Sequence, residues 1–97
     1  MDKEAVYNLL KQVPKGKVTT YKALAHALNS KAYRAIGKIM NTNPHAPVVP
    51  CHRVINANGK LGGYALGIQK KIELLQKEGI EIHNNFIDLE KYNYTFK

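Results

Sequence analysis

Residues 20–40 read TYKALAHALNSKAYRAIGKIM, and the fold turns on how this stretch is read. Thr20 is a good N-cap, because its hydroxyl can accept a hydrogen bond from a first-turn amide. Behind it Leu24, Ala25 and Leu28 recur on one helical face. Asn29-Ser30 closes that helix and opens another, expected from about Lys31 to Met40. This second helix buries Ile36, Ile39 and Met40 and leaves Tyr33, Arg34, Gly37 and Lys38 around the rest of its circumference. Two short helices joined by a tight polar turn read as a helix-turn-helix.

Working outward, Asp2 can cap an earlier helix carrying Val6, Leu9, Leu10 and Val13, which Pro14-Lys15-Gly16 stops. Lys17-Val18-Thr19 is a short β-like link. On the other side, Asn41-Thr42-Asn43-Pro44 and Pro47 impose an irregular loop that brings Val48-Val49 to Pro50-Cys51-His52-Arg53-Val54. Val54-Ile55 and Lys60-Leu61 flank Asn56-Ala57-Asn58-Gly59, whose Asn-Gly pair signals a tight turn and hence a small hairpin, or wing. A glycine-rich loop, 62–67, leads to a last helix from about Ile68 to Glu78, with Ile68, Ile72 and Leu75 inward and Gly79 as its stop. The tail from Glu81 to Lys97 carries no assignable pattern. The expected fold is mainly α with a small β wing: a winged helix-turn-helix forming one domain over residues 1–97.

Charge narrows the function. The 97 residues carry 15 Lys and Arg against 7 Asp and Glu, a net charge of +8. From Ala5 to Ile72 there is no carboxylate at all, while eleven Lys and Arg residues fall in that stretch. Such a surface favours a phosphate-bearing partner, nucleic acid first, over a merely solvated basic face. One cysteine excludes an internal disulfide and fits a reducing compartment. No apolar run approaches the roughly 20 residues of a membrane span, so an intracellular protein without membrane contact is expected. Cys51 sits in this positive field, where a thiol ionises more readily than at its free pKa of about 8.5. His52 follows it directly, but side chains on an extended backbone alternate in direction, so a Cys51–His52 pair needs a bend or a bridging water. A carboxylate to orient His52 must come from elsewhere, and Glu78 is the candidate.

The segments Thr20-Tyr21-Lys22-Ala23-Leu24-Ala25, Tyr33-Arg34-Ala35-Ile36-Gly37, Asn43-Pro44, Pro50-Cys51-His52-Arg53-Val54 and Gly63-Tyr64 stand in the order and spacing of the O6-alkylguanine-DNA alkyltransferases. The chain resembles that family over about Val6 to Gly79. The resemblance implies a winged helix-turn-helix whose second helix enters the DNA minor groove. It implies that Cys51 accepts the alkyl group, that His52 is its general base through a water and that Glu78 orients His52. Tyr21 would donate to N3 of the leaving guanine, Arg34 would fill the space left by the flipped base, and Asn43 would brace the loop before the cysteine. Thr20, Tyr33, Ala35, Gly37, Lys38 and Arg53 would complete the DNA surface. Met40, Val54, Tyr64, Ala65 and Leu66 would line the base pocket. The implied partner is double-stranded DNA containing O6-alkylguanine, met by a monomer with no cofactor and no metal.

Two departures from the family pattern stand out. Relatives commonly carry an additional N-terminal domain, some with a structural zinc, and neither is found in this sequence. The usual Tyr-x-Gly-Gly reads Tyr64-Ala65-Leu66-Gly67, which implies either a rerouted loop or a smaller pocket. The alternative reading is an alkyltransferase-like lesion sensor that flips the base and transfers nothing. Such proteins usually lack the cysteine, so Cys51 argues against it. A metal-binding module built on Cys51 with His26, His45, His52 or His83 lacks the paired spacing of zinc ligands.

Overall fold

The structure, a computed structural model, describes residues 3–42, 50–64 and 66–96, except for the side chain of Tyr33. The Asp2 cap, Asn43, the Val48-Val49 pair and Ala65 lie outside the described residues. Helix α1 spans Lys3–Gln12 and strand β1 Thr19–Thr20; helices α2 (Tyr21–Ala27) and α3 (Tyr33–Asn41) follow. After a 3-10 turn at Cys51–Arg53 come strand β2 (Val54–Ile55), helix α4 (Ile68–Lys77) and a single turn of helix, α5 (Leu89–Tyr92). The protein is mainly helical with a two-stranded sheet.

The helix-turn-helix forms for the reasons its sequence gives. Thr20 Oγ1 accepts from Ala23 N at 3.0 Å and so caps α2. Asn29 takes a left-handed conformation (φ 53°) that turns the chain, which asparagine tolerates better than most residues. Ile36, Ile39 and Met40 are buried, as their spacing predicts, and α1 packs across both helices with Val6, Tyr7 and Leu10. These residues join Leu24, Ala25, Cys51 and Val54 in one apolar cluster. A second cluster joins Val18, Ile55, Leu61 and Leu75 to Ile80, Ile87 and Tyr92.

The sheet differs from the expected wing. Strands β1 and β2 pair in parallel, Thr19 opposite Val54 and Thr20 opposite Ile55. The Asn56–Gly59 turn closes as predicted, with Asn56 N donating to Lys60 O at 2.9 Å. Lys60-Leu61, however, runs against the tail: Leu61 N donates to Asn85 O and Ile87 N to Gly59 O. Gly59 is required here, since its φ is 93° and a Cβ would lie 3.0 Å from Ile87 O. The tail makes its own two-residue hairpin, in which His83 and Phe86 exchange backbone bonds around Asn84 (φ 52°) and Asn85 (φ 65°). It then lies along the free edge of β1, where Val18 N donates to Tyr92 O and Tyr94 N to Val18 O. The unassigned tail is thus bridged to the backbone beside the sheet and forms part of the second core. Ile68, expected inward, is 40% exposed, and the buried positions of α4 are Lys71 and Leu75. Among the described residues no helix is long and apolar enough to cross a membrane.

Candidate active site

The parallel register brings the site together. Tyr21 follows β1 and the Cys51–Arg53 turn precedes β2, so pairing of the two strands sets the start of α2 beside the cysteine. Cys51 is 4% exposed and packs with Met40 and Val54 in the apolar cluster of the helix-turn-helix. The sequence left open whether Cys51 and His52 can face the same space. In the structure the two lie in a 3-10 turn, where successive side chains diverge by about 120° rather than alternating as in a strand.

His52 Nε2 lies 2.9 Å from Glu78 Oε2, at the C-terminal end of α4. With the carboxylate ionised, Nε2 carries the hydrogen and Nδ1 is the basic nitrogen. Nδ1 is buried and has no hydrogen-bond partner among the described residues. Burial holds His52 below the ordinary imidazole pKa, against the pull of Glu78. Burial would raise the Glu78 carboxyl, but the bonds from Arg53 and His52 outweigh it and hold it below the usual carboxylate range. At neutral pH the pair is a carboxylate and a neutral imidazole.

Arg53 departs from the reading that set it on a DNA surface. Its Nε and Nη2 donate to Glu78 Oε1 and Oε2 at 2.9 and 2.7 Å, and its Nη1 donates to Val13 O at 2.9 Å. A planar guanidinium matches a carboxylate in this way, so the side chain faces inward and ties α1 to α4. Thr20 is likewise buried, its oxygen occupied by the α2 cap. Arg34 and Lys38, one helical turn apart on α3, are exposed, with Ala35 and Gly37 half-buried between them.

Two phenols act on the cysteine. Burial raises the Tyr21 pKa, and the Cys51 sulfur adds to it. Tyr64 rises to about 12 by burial, then by its interaction with Cys51. The Tyr64 ring meets the His52 ring edge to face at 6.2 Å. Both tyrosines therefore stay protonated and keep a hydroxyl hydrogen to donate. Tyr21 also lines a cavity of about 460 Å³ with Lys22, Gly37, Asn56 and Ala57. The left-handed conformation in this loop falls on Gly67 (φ 94°), and the Leu66 side chain is 51% exposed.

Sequence reasoning missed Lys71, whose side chain is fully buried. Its position between Ile68, Ile72 and Leu75 on the apolar stripe of α4 was the available signal.

Residues 2–80 match the family described as 6-O-methylguanine DNA methyltransferase, DNA binding domain. Over 77 residues the chain is 52% identical to a methylated-DNA–protein-cysteine methyltransferase of Methanosarcina acetivorans, which covers 78% of this chain and 49% of that protein. Its shape is similar to the O6-methylguanine-DNA methyltransferase of Pyrococcus kodakaraensis, with a TM-score of 0.74 at 47% identity over 80% of this chain and 46% of the other. It is also similar to S. pombe Atl1, solved in complex with damaged DNA containing O6-carboxymethylguanine. That match has a TM-score of 0.86 at 28% identity and covers 97% of this chain and 94% of Atl1. The chain spans 30 to 50% of the length of the curated relatives it matches.

Proposed function

The chain belongs to the family of the 6-O-methylguanine DNA methyltransferase DNA-binding domain, and from that membership we propose that it repairs DNA by moving the alkyl group of O6-alkylguanine onto Cys51. The observation that carries the reading is the Cys51 turn backed by His52, Glu78 and Arg53. His52 Nδ1 takes the thiol proton through a water, while Glu78 supports the imidazolium that forms. The thiolate attacks the alkyl carbon, a sulfur–carbon bond forms as the carbon–O6 bond breaks, and the electron pair passes into the purine. Tyr21 stabilises that charge by donating to N3. A thioether is a poor leaving group, so each molecule acts once and needs no cofactor. Nucleophile, base and orienting carboxylate lie on one unit, which supports residues 1–97 acting as one alkyltransferase domain. The lesion-sensor alternative leaves this constellation without a purpose.

The surface of α3 supports a duplex partner. Gly37 sits in helix interior, where glycine costs about 1 kcal/mol relative to alanine, and a Cβ there would meet nothing within 4 Å. Packing within the protein does not require it. In the proposed complex the DNA backbone approaches α3 at this point, with Arg34 inserted for the flipped base and Lys38 on a phosphate. Gly37→Ala should therefore stabilise the free protein by up to about 1 kcal/mol while weakening duplex binding at least about tenfold. Urea unfolding and fluorescence anisotropy check the two signs, and equal or tighter binding by the variant would count against this face.

The direct test of the proposal is transfer of label from a duplex carrying radiolabelled O6-methylguanine. Wild type should become labelled and Cys51→Ser should not, although the Ser variant should still bind the duplex. Label on the Ser variant would sink the assignment.

A further inference from the structure

We infer that residues 85–87 of the tail position the turn at 56–60 for the duplex: they supply the strand that this turn lacks, and so set where Asn56 and Ala57 stand beside the start of α2. The inference rests on the proposed duplex partner and adds an element, the tail, to which that reading gives no part in binding.

A turn of this kind is usually held by the pairing of its own two arms. Here the arm before it, Val54–Ile55, pairs in parallel with β1, and the turn is closed by Asn56 N donating to Lys60 O at 2.9 Å. The returning arm is held by the tail. Leu61 N donates to Asn85 O at 3.0 Å and Ile87 N to Gly59 O at 2.9 Å, with Lys60 and Phe86 opposite each other in an antiparallel bridge. Side chains close the same contact. The Lys60 ammonium lies 5.8 Å from the centroid of the Phe86 ring, and the ring also covers Gly59, where an added Cβ would lie 3.7 Å from Phe86 Cδ1. Phe86 is 42% exposed and stands outside both apolar clusters, so its contacts lie with the turn and not with the core.

The turn stands where a duplex would feel its position. Asn56 and Ala57 form one wall of the cavity of about 460 Å³ whose other wall is Tyr21, Lys22 and Gly37. On its far side Ala57 borders a second cavity, of about 480 Å³, across which stand Leu89, Glu90 and Asn93 of the tail. With open space on both sides of Ala57, the turn is not wedged against α2. The bonds to the tail then fix its distance from α2, and a contact that holds the binding position raises affinity by the share of molecules it keeps there.

The test compares wild type, Phe86→Ala and Phe86→Tyr in binding to an undamaged duplex, followed by fluorescence anisotropy across salt, and in single-turnover transfer from a methylated one. Phe86→Ala should weaken binding about two- to fivefold, the range of an exposed cation–π contact. The duplex concentration for half-maximal transfer should rise by the same factor while the limiting rate stays that of wild type. Phe86→Tyr keeps the ring and should bind as wild type does. The salt dependence should keep its slope, since no phosphate contact is removed. Unchanged or tighter binding by Phe86→Ala overturns the inference, and so does a shallower salt slope, which would make Phe86 a direct contact, or a lower limiting rate at unchanged affinity. Hydrogen exchange in wild type reads the same coupling without a substitution. Because coupling is reciprocal, the Leu61 and Ile87 amides should exchange about two- to fivefold more slowly in the duplex complex. The Val18 amide, bonded to Tyr92 O further along the tail, should not change. Unmoved exchange, or equal slowing of all three amides, overturns the inference. Wild type that binds no duplex brings down the proposed partner as well, whereas wild type that binds with these readouts unmoved brings down the inference alone.

Discussion

Glu78→Gln is expected to slow alkyl transfer at least about a hundredfold, the lower range for loss of a general-base step, and to destabilise the fold by about 3 kcal/mol. Both effects come from one carboxylate. It receives two bonds from Arg53 and one from His52, and all three side chains are largely buried. Glutamine keeps the shape but has no charge, and it can offer only one oxygen to the three donors. The Arg53 charge is then left largely out of water without its partner, and removing one member of a buried pair costs about 3–5 kcal/mol. The lower figure applies because Arg53 keeps its bond to Val13 O.

The pH dependence follows with a definite sign. The folded pKa of Glu78 lies below its unfolded value, so its stabilisation is present above the ordinary carboxylate range and lost as pH falls through the folded value. The Gln variant should lack that loss. His52 is depressed as well, which means that the unfolded chain binds more protons and that stability rises with pH up to the ordinary imidazole value. In the variant His52 loses the groups that raise it, so the acid limb of the transfer rate should move to lower pH. Single-turnover rates across pH and urea unfolding measure both effects. A variant with the wild-type rate and profile would mean that Glu78 does not act on His52.

Truncation after Gly79 should abolish stable folding. The tail contributes Ile80, Ile87 and Tyr92 to the second core, and each is under a tenth exposed. A large buried apolar side chain is worth about 2–5 kcal/mol. Three of them, with the backbone bonds to Val18, Gly59 and Leu61, match a domain's whole stability of about 5–15 kcal/mol. The shortened chain should show no cooperative thermal transition in calorimetry. A transition within a few degrees of wild type would show that the tail is an ornament on a self-sufficient fold.

The helices were legible in the sequence because local rules settle them: Thr20 caps, Asn29 turns, Gly79 stops (φ 88°), and apolar residues recur at helical spacing. The sheet was not, because its partners are far apart. Val54 meets Thr19, and Lys60 meets Phe86, through pairings that no local period announces. The same distinction runs through the site. Cys51, His52 and Glu78 could be named from residue type and family resemblance, and His52 and Glu78 meet as the resemblance implied. Arg53 was read as a surface cation because nothing in its neighbours foretold that Glu78 and Val13 O would converge on it from two helices. Lys71 was passed over because a lysine on an apolar stripe reads as a snorkelling edge residue until three carbonyls are seen around its nitrogen.

Peptide mass spectrometry after incubation with a duplex containing O6-methylguanine tests the central claim most directly. The account predicts one methyl group per protein molecule, carried on the peptide that holds Cys51, with no further gain however large the excess of duplex. An unmodified protein that had bound the duplex, or a methyl group on any other residue, would contradict it.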